Sequence, residues 1–411
     1  MKRDFDVVVV GGAMAGAGAA ALLASNSGTA SLRIALIEPH PATAPAAADP
    51  LDLRVSALSQ ASQRLLEQTA AWPAVVARGA AAYQRMVVWE ERTTPDGPGA
   101  LHFDAAELGE RELGHIVENR AVQAALLERA LAAGVVLLRT GFSSLAAGAD
   151  AVRVATTDSR EFSAALVIGA DGGDSAVRSR AGIATRGSDY EQCAVVTHLS
   201  CEQPHRDTAW QRFLDTGPLA LLPLADGRVS LVWSTTPAQA QELVNCGAEE
   251  FAERVTAASA GVLGRLEATA ARAAFPLRLL QADRYVANRI ALIGDAAHTV
   301  HPLAGQGINL AFLDAAALVD VIGAALESGD DPGELRPLRR YERWRKAEVL
   351  PAIALLDGLQ RLFRGGNPLQ SRLRREGLGL VDASGLLKRA LMRRAMGISG
   401  EVPESVRQRP S

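Results

Sequence analysis

DVVVVGGAMAGAGAAALLASNSGTASLRIALIE, residues 6–38, decides the fold class. Four consecutive valines after Asp6, bounded by glycine, read as a buried parallel strand, because a strand covered on both faces needs no polar side. Gly11–Gly12–Ala13–Met14–Ala15–Gly16 then turns the chain into an alanine-rich helix reaching about Leu23. A second strand, Arg33–Ile37, ends on Glu38, which lies 22 residues beyond Gly16 and 27 beyond Gly11. Strand, glycine turn, helix, strand and acid form a dinucleotide-binding unit. The helix start offers unpaired N–H groups to a pyrophosphate, and the acid takes ribose hydroxyls. Gly11 and Gly16 occupy the first and third positions of the G-x-G-x-x-G pattern. Ala13 stands at the second, where backbone approaches the phosphates, so its methyl group is a small intrusion. This unit alone leaves a nicotinamide and a flavin dinucleotide equally open.

Two later segments carry further signals. VIGADGGDSAVRSRAGI (167–183) is a strand running into Asp171–Gly172, followed by a helix bearing Arg178. IALIGDAAHTVHPLAGQGINLAFLDAAAL (290–318) is a strand running into Gly294–Asp295, then His301–Pro302, then Gly305–Gln306–Gly307 opening an apolar helix near Asn309. Unpaired N–H groups at such a helix start suit an electron-rich or anionic partner. Asp295, at a strand end, is placed to hold a sugar or ribityl hydroxyl.

The three segments, in this order, resemble those of the aromatic-ring hydroxylase type of FAD monooxygenase. The blocks LDLRVSALSQASQRLLEQTAAW (51–72), GHIVENRAVQAALL (114–127), GPLALLPLADGRVSLVWS (217–234) and LKRALMRRAMGISGEVP (387–403) narrow this. With them the chain resembles the ubiquinone-biosynthesis FAD-dependent hydroxylase family. The resemblance implies an α/β fold: an FAD-binding Rossmann-like domain, an inserted and mostly antiparallel β-sheet substrate domain, and a helical C-terminus. It implies FAD as cofactor, NAD(P)H as a transient reductant and O2 as co-substrate, a flavin C4a-hydroperoxide hydroxylating the ring of a polyprenylated phenol or quinol. By the same resemblance Arg54 and Arg120 line the FAD. Asp171 and Asp295 contact it, with Gly172 in the turn, and Pro302, Gly305, Gln306, Gly307 and Asn309 border the isoalloxazine. Read without the family, Arg120 is equally an ordinary surface arginine beside the apolar stripe Val117, Val122 and Leu126.

The expected boundaries are 1–72, 103–185 and 283–335 for the FAD-binding domain, 73–102 and 186–282 for the sheet domain, and 336–411 for a basic helical region. Cys193–Ser200, Trp210–Asp215, Ala220–Leu224 and Ser230–Ser234 read as sheet strands, and 247–272 as helical. Residues from Trp72 to about His102 alternate like antiparallel strands. Trp210, Phe213, Leu222 and Trp233 are the expected apolar wall for the substrate, each equally readable as plain sheet core. The flavin carries the chemistry, so no nucleophilic triad or metal set is expected. His298 and His301 are the titrating groups nearest the motif, each read as a structural hydrogen-bonding residue ahead of an acid–base catalyst.

Composition bounds the partners. Hydrophobic residues make up 48% and charged residues 22%, an ordinary globular balance. Cys193, Cys201 and Cys246 fit no metal spacing and read as reduced thiols of a cytoplasmic protein. Met1–Asp6 runs straight into a strand, so no signal peptide is expected. The net charge of −3 conceals an asymmetry: 336–411 carries 17 Lys/Arg against 7 Asp/Glu, leaving −13 for the remainder. Around Leu387, Ala390, Leu391 and Met392 a helix would gather Lys388, Arg389, Arg393 and Arg394. That pattern suits peripheral contact at the inner face of a membrane, or docking in a multi-enzyme complex. No nucleic-acid module matches. Competing readings are a hydroxylase of a soluble phenolic compound, a flavoenzyme that saturates double bonds without oxygen, and a flavin-binding non-catalytic subunit of a biosynthetic complex. The Ala13 departure favours the last. A flavin halogenase would need a WxWxIP-like segment, and none occurs.

Overall fold

The computed structural model describes residues 3–46, 48–299, 306–363 and 384–407. Its first sheet is Rossmann-like. Phe5–Val10 pairs in parallel with Ile34–Ile37 on one side and Glu161–Gly169 on the other. Ile290–Leu292 extends the parallel run beyond Glu161–Gly169, and Val136–Leu138 extends it beyond Ile34–Ile37. Val7–Val10 are at most 3% exposed, which accounts for the unbroken valines. The hairpin Phe142–Ala147/Val152–Thr156 adds antiparallel strands to the same sheet.

Register makes this sheet a site builder. Val10 pairs with Ile37 and with Gly169, and Gly169 pairs with Leu292. Gly11, Glu38, Ala170–Asp171 and Gly294–Asp295 therefore leave four neighbouring parallel strands at one edge, the carboxyl ends where α/β sheets bind ligands. Helix Met14–Ser25 packs against this sheet and against helix Gln306–Glu327. The two helices meet closely because Gly18 leaves room for the Phe312 ring; a Cβ on Gly18 would lie 3.1 Å from it. Gly307–Glu327 is long and apolar enough to cross a membrane, but 78% of its apolar window is buried in the protein, where it serves as a core helix.

The second sheet is mostly antiparallel. Its spine runs Ala273–Ala282, Thr185–Cys201, Val229–Thr235, Gly217–Pro223, Thr208–Leu214, Arg85–Glu90 and Leu101–Asp104, with one parallel pairing, Thr208–Leu214 on Arg85–Glu90. One face packs on helices Pro237–Asn245 and Ala248–Ala258 through Leu243, Phe251 and Val255. A small sheet of Val55–Ser59, Ala81–Tyr83 and Gly114–Glu118 joins the two parts.

Three local expectations change. Trp72–Gly79 is a helix rather than a strand, since Pro73 at its first turn presets helical φ. The helical stretch expected over 247–272 stops at Ala258, where Ala260, Gly261 and Gly264 all take left-handed φ and Leu266–Ala268 returns to a sheet. Strand Leu101–Asp104 straddles the boundary drawn at 102/103, and His298–Thr299 pairs with the second sheet although it follows the Gly294–Asp295 turn of the first. Beyond residue 335 come helix Leu335–Phe363 and helix Gly385–Ala395.

Candidate functional site

A cavity of about 1280 Å³ begins at Gly11, Ala13 and Glu38, passes Asp171, Gly172 and Asp295, and ends against the second sheet. It exceeds the roughly 300–1000 Å³ usual for one small ligand. A dinucleotide and a second molecule together suit such a space.

At its first end, Gly11 adopts φ +98, and a Cβ there would lie 2.5 Å from the Ala170 carbonyl oxygen. Only glycine fits the turn. Helix Met14–Ser25 begins at Ala13 with no side-chain cap and no acid in its first turn. Its first N–H groups and the positive end of its dipole are left for an anionic ligand. Ala13 sits in extended backbone, φ −68 and ψ −179, so its methyl group faces no strain. Gly16 lies beneath the turn instead of lining the cavity: a Cβ there would stand 1.8 Å from the Gly11 carbonyl oxygen, so its role is close packing of helix on strand. Glu38 accepts hydrogen bonds from the N–H groups of Gly12 (2.7 Å) and His40 (2.8 Å) at the cavity wall.

The middle of the cavity is polar on one side. Asp171 accepts from the Ser175 hydroxyl and from Val177 N–H (3.0 Å), which caps the short helix Ala176–Arg180. Arg178, 8% exposed, donates to the carbonyls of Ala296 (2.9 Å) and Gly173 (2.6 Å), clamping the two aspartate turns together. Asp295 is open to the cavity and enclosed by protein on its other sides. Burial raises its carboxyl above the usual range, against the pull of His298 and Arg54. Arg54 lines the same space, its guanidinium 6.0 Å from the Phe275 ring centre. Asn309 spends its amide on structure. Its Oδ1 accepts from Ser59 N–H (2.9 Å) and the Ser62 hydroxyl (2.7 Å), and its Nδ2 donates to the Ala57 carbonyl (3.0 Å). It ties the helix start to the 55–62 segment, while Gly307 beside it borders the cavity.

Several expected site residues sit elsewhere. Arg120 does not border the cavity; it donates to the carbonyl and hydroxyl of Thr43, pinned to the loop after Glu38. Trp233 faces away, 3% exposed among Leu243, Phe251 and Val255, because side chains alternate along a strand and its neighbours Val232 and Ser234 take the cavity face. Trp210 reaches the cavity boundary, but its ring packs edge-on to Trp89 at 6.1 Å. Phe213 and Leu222 do line the apolar wall. His298 is not a cavity acid or base. It is 1% exposed, and its Nε2 is 2.6 Å from Asp314 Oδ2. The Gln306 side chain, His301, Pro302 and Gly305 lie outside the described residues. Among the described residues no cluster of His, Cys, Asp and Glu could hold a metal ion.

Sequence reading missed two features. Gln211 and Ser234 are buried polar residues on the apolar cavity face, in strands whose aromatic and aliphatic side chains dominate the sequence pattern. Asp314 is a fully buried acid bound by Arg345, which lies 31 residues further along the chain. A lone aspartate inside AFLDAAAL was its available signal, since a buried carboxylate needs a partner.

Residues 4–350 match the family described as FAD binding domain. The chain is 36% identical over 400 residues to 3-demethoxyubiquinol 3-hydroxylase of Escherichia coli, covering 97% of this chain and 100% of that protein. It is 36% identical over 405 residues to ubiquinone hydroxylase UbiL of Rhodospirillum rubrum, covering 98% and 92%. Among solved structures, p-nitrophenol 4-monooxygenase PnpA of Pseudomonas putida shares the fold at a TM-score of 0.75 and 17% identity, across 97% of this chain and 100% of that one. PqsL of Pseudomonas aeruginosa in complex with 2-aminobenzoylacetate matches at a TM-score of 0.70 and 25% identity, covering 91% and 99%.

Proposed function

The chain belongs to the family of FAD-dependent hydroxylases of ubiquinone biosynthesis, and from that membership we propose how its cavity divides the work. The reaction is an NAD(P)H- and O2-dependent hydroxylation of an aromatic ring, and the substrate is a polyprenylated phenol or quinol. Bound FAD supplies the activation of dioxygen at the expense of the nicotinamide.

The residues present fit that cofactor. Uncapped N–H groups after Ala13 take the pyrophosphate, Glu38 the adenosine ribose, and Asp295 a ribityl hydroxyl. Asp171 acts one step back, by holding the helix that carries Arg178. The second sheet supplies a dry wall for the ring. One row of its cavity face is Gln211, Ala220, Val232 and Val196, paired across four strands. Small and aliphatic side chains exclude water there, and the Gln211 amide and Ser234 hydroxyl offer hydrogen bonds to ring oxygens. In this reading the chain divides into a nucleotide part and an inserted sheet part near the boundaries expected from sequence. The wall is completed by helix Gly385–Ala395, whose Leu391, Met392 and Ala395 border the cavity. Leu386 and Leu387 on that helix are 80% and 47% exposed, next to exposed Arg389 and Arg393. We infer peripheral contact of this helix with an anionic bilayer, where a polyprenylated substrate resides.

The observation that carries the reading is one cavity joining the Gly11, Asp171 and Asp295 turns to an apolar sheet face. The test is oxygen uptake by the flavin-loaded protein with NADH or NADPH, in the presence of a short-chain prenyl phenol or an unprenylated phenol. Uptake stimulated by the prenylated compound, with a hydroxylated product, is expected. Stimulation by the unprenylated phenol alone would move the substrate to soluble phenolics. Bound flavin with no stimulated turnover by either would overturn the catalytic reading.

A further inference from the structure

Asp314 lies at the meeting point of three elements and has no exposed surface. Its Oδ1 accepts from Arg345 Nε at 2.7 Å, from helix Leu335–Phe363. Its Oδ2 is 2.6 Å from His298 Nε2 and accepts from Gly294 N–H at 3.0 Å. Arg345 and His298 are each 1% exposed. A buried ion group of this kind contributes little net stability compared with apolar packing, because desolvation opposes the attraction. Here it also leaves Arg345 Nη2 and His298 Nδ1 without a hydrogen-bond partner among the described residues. Unsatisfied buried polar atoms call for a reason beyond packing.

The reason lies in what the carboxylate grips. Gly294 adopts left-handed φ +58, with Ala15 and Ala311 so near that a Cβ would stand 3.2 and 3.1 Å from them. This tight turn is what carries Asp295 into the cavity. Its N–H is fixed by Asp314, Ile293 N–H before it donates to the Gly169 carbonyl at 3.0 Å, and the Leu292 carbonyl accepts from the Tyr341 hydroxyl at 2.8 Å. We propose that Asp314 is a positioning residue for the cofactor: held by Arg345 and His298, it locks the Gly294 turn and so sets the aim of Asp295. The proposal rests on reading Asp295 as the ribityl contact.

The test is FAD affinity of purified apoproteins, read by flavin fluorescence, with thermal unfolding measured on the same samples. Each of Asp295→Ala and Asp314→Asn is expected to weaken FAD by about tenfold, the scale of one charge-assisted hydrogen bond. The double variant should be no weaker than Asp295→Ala alone, because a group acting through another has nothing further to lose. A merely structural role would lower the unfolding temperature without this coupling. Additive losses, or unchanged affinity in Asp314→Asn, overturn the proposal. Unchanged affinity in Asp295→Ala overturns the ribityl reading first, and the positioning role with it. If Asp314→Asn does not fold, Asp314→Asn with Arg345→Met replaces it, removing both buried charges together; the same pattern against Asp295→Ala is then required.

Discussion

Asp295 is the carboxylate whose protonation the cavity controls. Its folded-state pKa is raised by burial, so the ionised form carries a penalty in the apoprotein. That penalty is present at neutral pH, fades as pH falls through the raised value, and is gone below the unfolded value of about 3.9. Asp295→Asn is therefore expected to raise the unfolding temperature of the apoprotein at pH 7 and to have no effect near pH 3.5 (about half a unit below the unfolded value). The same change should weaken FAD, so stability and affinity move in opposite directions. Parallel loss of both would contradict this. Asp295 was legible because a strand end followed by Gly-Asp is a local pattern. Arg120 was not, because a long side chain can leave its helix in several directions and nothing local selects among them. Asp314 was visible only as an oddity in an apolar helix; its partners are brought to it by tertiary packing.

At the scale of elements, the second sheet shows what period two does and does not reveal. Alternation identified the strands around 193–200, 210–215, 220–224 and 230–234, and the structure has them. It could not say which set of alternate residues meets the ligand, because both faces are apolar: one covers helices, the other the cavity. Trp233 and Leu222 fell on opposite sides of that choice. Trp233→Ala is expected to destabilise the protein by about 3–5 kcal/mol, with little change in KM for the enzyme that remains folded. Leu222→Ala should cost within about 1 kcal/mol while shifting KM for a prenylated substrate, since it opens a cavity wall. Urea unfolding and steady-state kinetics on the two variants check the pair. The dinucleotide unit was more legible, because each of its steps demands a special backbone: the left-handed Gly11, the uncapped helix, the close approach at Gly16.

For the whole molecule, the charge asymmetry read from sequence acquires a place. Helix Gly385–Ala395 buries Met392 against Ala105 and Leu113, and Lys388 reaches Glu107 at 2.7 Å, so the basic helix is seated on the cavity wall with Leu386 and Leu387 outward. Leu386→Asp with Leu387→Asp is expected to reduce co-sedimentation with phosphatidylglycerol vesicles at least threefold, about 0.6 kcal/mol or more. Activity on a short-chain soluble analogue should stay unchanged. Binding to vesicles unaffected by the change would point to another surface, and loss of binding to a purified partner protein instead would make this helix a subunit contact. The tail is also knitted back into the core: Glu404 N–H donates to Asp320 Oδ2 at 2.6 Å, and Trp344 Nε1 to the Glu401 carbonyl at 3.0 Å. Residues bordering the cavity thus run from Val10 to Val402. A chain emerging from the ribosome at about 5–20 residues per second presents the Gly11 turn long before the Gly294 turn, and helix Gly385–Ala395 later still. Flavin capture consequently waits on segments made far apart in time, and a chain broken off before Leu391 would present an open, leaky half-site to the cell.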